Sequence, residues 1–206
     1  MHATSIRNHI MTARTLFFAW YHRLSITKKL GLAIGMACVT GAMAQLRIPL
    51  PWTPVPITGQ TFAVLLSGII LGAWWGGISQ TIYVALGVAG LPWFSGGRSG
   101  LASLLGPTGG YLIGFVLSAL FVGYVVDAYP KIRNFRPLVL LMLVSNLFLI
   151  HLPGLAQLYL WLAVVKHTPP TVWQLLLMGW IPFIVGDIIK IFFAATCAVG
   201  ILPKKV

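Results

Sequence analysis

Residues 59–91 read GQTFAVLLSGIILGAWWGGISQTIYVALGVAGL and contain no Asp, Glu, Lys or Arg. A helix needs about 20 apolar residues to cross the hydrocarbon core of a bilayer. We read two spans here, about 59–75 and about 76–91, joined by a bare turn at Trp75-Gly76-Gly77. That reading decides the fold, because the number of crossings sets the side to which the chain returns.

The rest of the chain supports a membrane protein. Of 206 residues, 58% are hydrophobic and 8% charged, with a mean hydropathy of +0.92. A soluble domain carries roughly a quarter charged residues. Four more apolar runs lie at about 30–46, 109–127, 138–165 and 173–202, the last with its core after Pro182. The expected fold is an all-α integral membrane bundle of six transmembrane helices. A single membrane domain spans 30–203, behind a basic, partly amphipathic cytoplasmic extension at 1–29 that is suited to lie on the membrane surface. A β-barrel is excluded because no strand-like alternation of apolar and polar residues appears.

Charge orients the bundle. Arg7, Arg14, Arg23, Lys28, Lys29, Lys131, Arg133, Arg136, Lys204 and Lys205 fall on one side, ten in all, against Arg47, Arg98 and Lys166 on the other. By the positive-inside rule both termini are cytoplasmic. The expectation is a multi-pass protein of the bacterial cytoplasmic membrane. The formal charge of +12 reflects this topology, since no basic stripe for nucleic acid accompanies it. Cys38 and Cys197 lie in apolar runs without pairing or metal spacing and read as buried free thiols. Neither a phosphate-binding loop nor a Cys/His cluster is present, so no metal or cofactor is expected.

The chain has two acidic residues, Asp127 and Asp187. Asp127 ends the fourth span beside Lys131 and reads as an interfacial residue. Asp187 lies inside FIVGDIIKIFFAA (183–195), where an acid costs roughly 2.5–3.5 kcal/mol on insertion scales. Lys190, three residues on, shares its helical face. The pair reads either as a packing ion pair or as a polar site opening outward. The outer links, RIPLPWTPVPITG (47–59) and PWFSGGRSGLASLLGPTGG (92–110), are long and rich in Gly and Pro, and long ordered loops usually serve function. They bring Arg98, suited to grip a carboxylate or carbonyl, Gln60 at a helix start, and Tyr111 after GPTGG. Gln80 and Tyr83 share a face of the third span, and Tyr83 with Trp93 and Phe94 offers an aromatic wall. Asn146 and His151 read as interhelical hydrogen-bond formers. On the first span, Ala33, Ala37 and Gly41 recur every four residues, and such small residues let another helix approach.

Taken together, PLPWTPVPITGQT, GLPWFSGGRSGL, LLGPTGGYLIGF and GDIIK resemble the biotin-specific S component of energy-coupling factor (ECF) transporters, the BioY family, over about 30–202. The resemblance implies a protein that binds biotin from the outer side. Its partners are a transmembrane coupling protein and ABC-type ATPases, so ATP acts only through partner subunits. It implies that Asp187, Lys190 and Arg98 contact the vitamin and that Ala33, Ala37 and Gly41 dock the coupling protein. Gln60, Tyr83, Trp93 and Tyr111 join the site by position and chemistry. Lys190 or Arg98 takes the biotin carboxylate and the other the ureido oxygen; the sequence leaves the choice open, with Lys190 preferred for the carboxylate.

Two alternatives stand beside this reading. One is the same kind of transporter for another vitamin or small carboxylate. The other is an intramembrane serine protease, from Gly97-Arg98-Ser99-Gly100 with His151 on a later span.

Overall fold

A computed structural model describes residues 20, 21 and 23–202. Most of the basic extension, together with Lys204 and Lys205, lies outside the described residues. Five apolar helical stretches are long enough to cross a membrane. They are α1 (Ile26–Gln45), α2 (Gln60–Val88), α4 (Gly109–Ala128), α5 (Phe135–Val165) and the stretch Val172–Ile201. A short helix, α3 (Leu101–Leu104), lies in the loop before α4.

The second stretch is two helices. At Gly72 the backbone turns to φ 72°, ψ −178°, a conformation open essentially to glycine alone. The arms before and after it run back along each other. Gln60 Nε2 donates to the Tyr83 hydroxyl at 2.8 Å, and Gln80 Nε2 donates to Ser67 Oγ at 3.0 Å. On one straight helix, Gln60 and Tyr83 would stand about 35 Å apart. The six expected helices are therefore present, but the reversal sits at Gly72 and not at Trp75-Gly76-Gly77. Gly76 serves packing instead: a Cβ there would lie 2.7 Å from Gly68 Cα in the facing arm. Small residues at such a crossing let two backbones meet.

The turn is held from outside. The Ala73 N–H donates to Asp127 Oδ2 at 3.1 Å, so this carboxylate caps the second arm, a structural task beyond the interfacial placement expected of it. Nearby, the Tyr21 hydroxyl donates to the Leu71 carbonyl at 2.7 Å. Burial, and then the charge of Asp127, push this phenol up to about 12, so it remains a donor. Leu202 packs in one cluster with Val126 and Leu138. Tyr21, Gly72, Asp127 and Leu202 thus share one end of the bundle, the end that also carries Lys131 and Arg133. Both ends of the described chain lie there, as an even number of helices requires.

The opposite end carries the loops. β1 (Arg47–Ile48) and β2 (Ile57–Thr58) pair antiparallel, Arg47 opposite Thr58. The loop between them crosses the bundle, where Thr53 Oγ1 donates to the Met178 carbonyl at 2.7 Å. Val172–Ile201 is broken by a 3₁₀ turn at Ile181–Phe183 containing Pro182, which separates α6 (Val172–Gly179) from α7 (Ile184–Ile201). Thr171 and Gln174 form a reciprocal capping box at the start of α6. α7 starts just after Pro182, as the sequence reading placed it.

One expectation changes. Cys38 and Cys197 are free but exposed, on outward faces of α1 and α7. Ala33, Ala37 and Gly41 face inward, with both alanines at 0% exposure. A Cβ on Gly41 would meet the Trp93 side chain at 3.1 Å. Their small size lets α1 lie close to α2 and the 93–98 loop.

Candidate functional site

α7 lays Asp187 and Lys190 one turn apart on its inner face, as their spacing dictates, and Asp187 Oδ1 meets Lys190 Nζ at 2.6 Å. Asp187 is 5% exposed and has three further partners from two other helices, α5 and α2. Asn146 Nδ2 donates to Oδ2 at 2.7 Å, His151 Nε2 lies 3.4 Å from Oδ2, and Thr61 Oγ1 donates to Oδ1 at 3.4 Å. A carboxylate accepts about four hydrogen bonds; Lys190, Asn146 and Thr61 supply three, with the His151 ring packed against Oδ2. Lys190 also donates to the Thr58 carbonyl at 2.9 Å. An ammonium has three protons, and one remains.

Asn146 and His151 reach Asp187 because α5 is not regular. Ser145–Ile150 is π-helical, and such wide turns are frequent at functional sites. Pro153 lies just beyond and has no N–H for the carbonyl four residues back. The wide turn buries Ser145, Asn146, Ile150 and His151 together. His151 Nδ1 also lies 2.9 Å from the Asn146 carbonyl. Among the described residues no hydrogen bond joins His151 to Ser99. The Ser–His pair of a protease is not assembled.

A pocket of about 630 Å³, its open mouth included, rises from this network between α2, α4, α5, α7 and the two loops. Asp187, Lys190, Thr61 and His151 line it, with Gln60 nearby. Phe94, Tyr111, Phe115 and Phe183 supply aromatic walls, and Arg98 stands in the same lining. Tyr111 is held by its hydroxyl, which donates to the Gly179 carbonyl at 2.7 Å, so its ring is fixed. Arg98 Nε donates to the Ser95 carbonyl at 3.1 Å.

The structure brings Asp187, Lys190, Arg98, Gln60 and Tyr111 to one cavity. Tyr83 and Trp93 stand behind it. Tyr83 is 0% exposed, and its ring packs on Trp93 and Phe94 with centroids 5.2 and 5.5 Å away. Phe94 alone of this trio reaches the cavity. Tyr83 acts on the site through Gln60, whose amide it accepts from, while Gln60 Oε1 accepts from Thr58 Oγ1 at 2.9 Å. Sequence reasoning missed Thr61, Ser95 and Phe115 and gave Asn146 and His151 only a packing role. Ser95 is informative: its hydroxyl is buried without a hydrogen-bond partner among the described residues, in the pocket wall. A lone Ser between Phe and Gly gave no signal in the sequence.

Comparison with known proteins agrees with this architecture. The BioY family profile matches residues 11–205. A relative described as a probable biotin transporter BioY, from Methanothermobacter thermautotrophicus, is 50% identical over 68% of this chain and 89% of its own length. A biotin transporter BioY from Thermotoga maritima is 34% identical over 77% of this chain and 88% of its own. Among solved structures, the crystal structure of the S-component for biotin from an ECF-type ABC transporter superposes with a TM-score of 0.75 at 27% identity, covering 85% of this chain and 93% of that one. The chain is a multi-pass membrane protein that belongs to the BioY family.

Proposed function

We propose that the chain is a biotin-binding S component, which captures the vitamin in the pocket above Asp187 and delivers it across the membrane. The observation that carries this reading is the buried Asp187–Lys190 pair at the base of an aromatic-walled cavity. Biotin presents a ureido ring with two N–H donors beside one carbonyl acceptor, an apolar thiophane ring, and a carboxylate on a four-methylene tail. Adjacent donor and acceptor groups fit an adjacent carboxylate and ammonium, with charge-assisted hydrogen bonds on both sides. Ureido N–H groups replace weak partners of Asp187, such as Thr61 at 3.4 Å. The carbonyl takes the remaining Lys190 proton or the free Ser95 hydroxyl.

This geometry revises the assignment of the carboxylate to Lys190. Asp187 and Lys190 are in contact, and two touching groups do not hold opposite ends of an extended ligand. With the ring at the pair, the tail points to the mouth and its carboxylate to Arg98. The thiophane ring then lies among Phe94, Phe115 and Phe183.

The chain carries no ATP-binding motif, so accumulation depends on a coupling protein and ATPases, and no catalytic role is proposed. Docking on α1 has to use its outward face. Gly31 and Gly35 there have nothing within 4 Å, whereas Ala33, Ala37 and Gly41 are covered.

The test is equilibrium binding of biotin to the full chain in lipid nanodiscs, with lipoate, riboflavin and thiamine as competitors. Tight, selective biotin binding is expected. Displacement by another vitamin at lower concentration would move the cargo, and concentrative uptake by this chain alone would overturn the need for a motor.

A further inference from the structure

A second cleft opens beside the pocket at the loop end. Arg47, Leu50, Thr53 and Arg98 line it, with Pro54 and Pro56 among its prolines, and it shares Pro56 and Arg98 with the deep pocket. Pro56 and Arg98 therefore form the boundary that the two spaces share.

Among the described residues no acidic side chain pairs with these arginines. There are two acidic side chains in all. Asp127 caps Ala73 at the far end, and Asp187 is bound by Lys190, Asn146, His151 and Thr61. Lys166, the third cation assigned to the loop side, lies 5.2 Å over the Trp161 ring. Arg47 and Arg98 thus present uncompensated positive charge on one cleft.

They are also held in place. Gln45, at the end of α1, donates from Nε2 to the Trp93 and Phe94 carbonyls at 3.1 and 3.2 Å and accepts from the Gly97 N–H at 3.2 Å. Phe94 and Arg98 form a β-bridge. Gly96 has φ +77°, and the Arg47 guanidinium occupies the place a side chain there would take. Arg47 therefore rests on the loop that carries Arg98.

We infer that Arg47 and Arg98 form an anion-capture vestibule at the pocket mouth, which takes the carboxylate of the substrate before its ring reaches Asp187. This rests on the reading of the ligand as biotin. Arg47 makes the encounter and Arg98 passes the tail inward, since Arg98 is the one of the two arginines that lines both spaces. Charges lining a cleft raise the capture rate of an oppositely charged ligand, and salt suppresses the effect. The vestibule acts on the association rate constant and leaves the dissociation rate to the deep site.

The experiment is rapid filtration of radiolabelled biotin and of its neutral amide, biotinamide, on the full chain in nanodiscs of zwitterionic lipid, at several salt concentrations. For the wild type, biotin association should fall as salt rises, and biotinamide association should not. R47Q should slow biotin association about threefold or more at low salt and flatten its salt dependence, with dissociation unchanged. R47K, which retains the charge, should restore most of the rate. Equal salt dependence for biotin and biotinamide on the wild type would overturn the vestibule without recourse to any variant. So would an R47Q effect confined to dissociation, or R47K as slow as R47Q. A wild type that binds neither ligand would remove the biotin reading and the vestibule with it.

Discussion

The two carboxylates of this chain stand at opposite ends of the same bundle and do different work. Asp127 ends α4 at the basic end, exposed, and accepts a backbone N–H from the second arm of α2. Asp187 lies at depth in α7 and gathers side chains from α2 and α5 beside its own Lys190. A backbone partner at a helix start makes a local brace. Side-chain partners drawn from several helices, facing a cavity, make a surface that a ligand can rearrange. Acidity is common to both; what separates their roles is that Asp127 is exposed at the basic end, whereas Asp187 is buried and faces the cavity.

The sharpest way to break this comparison is Asp187→Asn. Biotin affinity should fall by about 2 kcal/mol or more, roughly 30-fold, in equilibrium binding. Unchanged affinity would demote Asp187 to a packing ion pair. Next, Gly72→Ala should destabilise the basic end by about 1–3 kcal/mol through backbone strain, seen as a lower melting temperature in detergent. Its biotin affinity should stay near that of the wild type, because the turn lies at the far end from the pocket.

Asn146→Ala should weaken biotin binding by about 1–1.5 kcal/mol, close to tenfold, by loosening Oδ2 of Asp187. No loss there would mean that the π-helical turn serves α5 and not the site. The smallest effect is expected from Asp127→Asn, which removes the charge at the start of the second arm for about 0.3–1 kcal/mol of stability and leaves biotin affinity within about twofold. A large loss of binding in that variant would show that the two ends are energetically linked and that the division of labour is wrong.

The membrane class, the six helices and their shared terminal end followed from apolar run length and the placement of Lys and Arg. Both depend on transfer of side chains between water and lipid, which each residue type decides by its own chemistry. The Asp187–Lys190 pair was legible for the same reason: two charges one turn apart in an apolar run share a face. Arg98 was legible because glycines surround it. The turn was misplaced by a few residues because several glycines lie between Leu71 and Ile78, and composition does not tell which one takes a positive φ and which one packs against Gly68.

What only the tertiary structure decided is which residues meet across helices. Asn146 and His151 reach Asp187 through a π-helical turn, a backbone irregularity set by packing around Pro153. Tyr83 withdraws behind Gln60, and Ser95 turns an unpaired hydroxyl into the pocket wall. Ala33, Ala37 and Gly41 have the spacing of a docking stripe, but spacing names a face of a helix and not the neighbour it will have. That choice belongs to the whole bundle, because small residues let any backbone approach, and here α2 and the 93–98 loop lie against them.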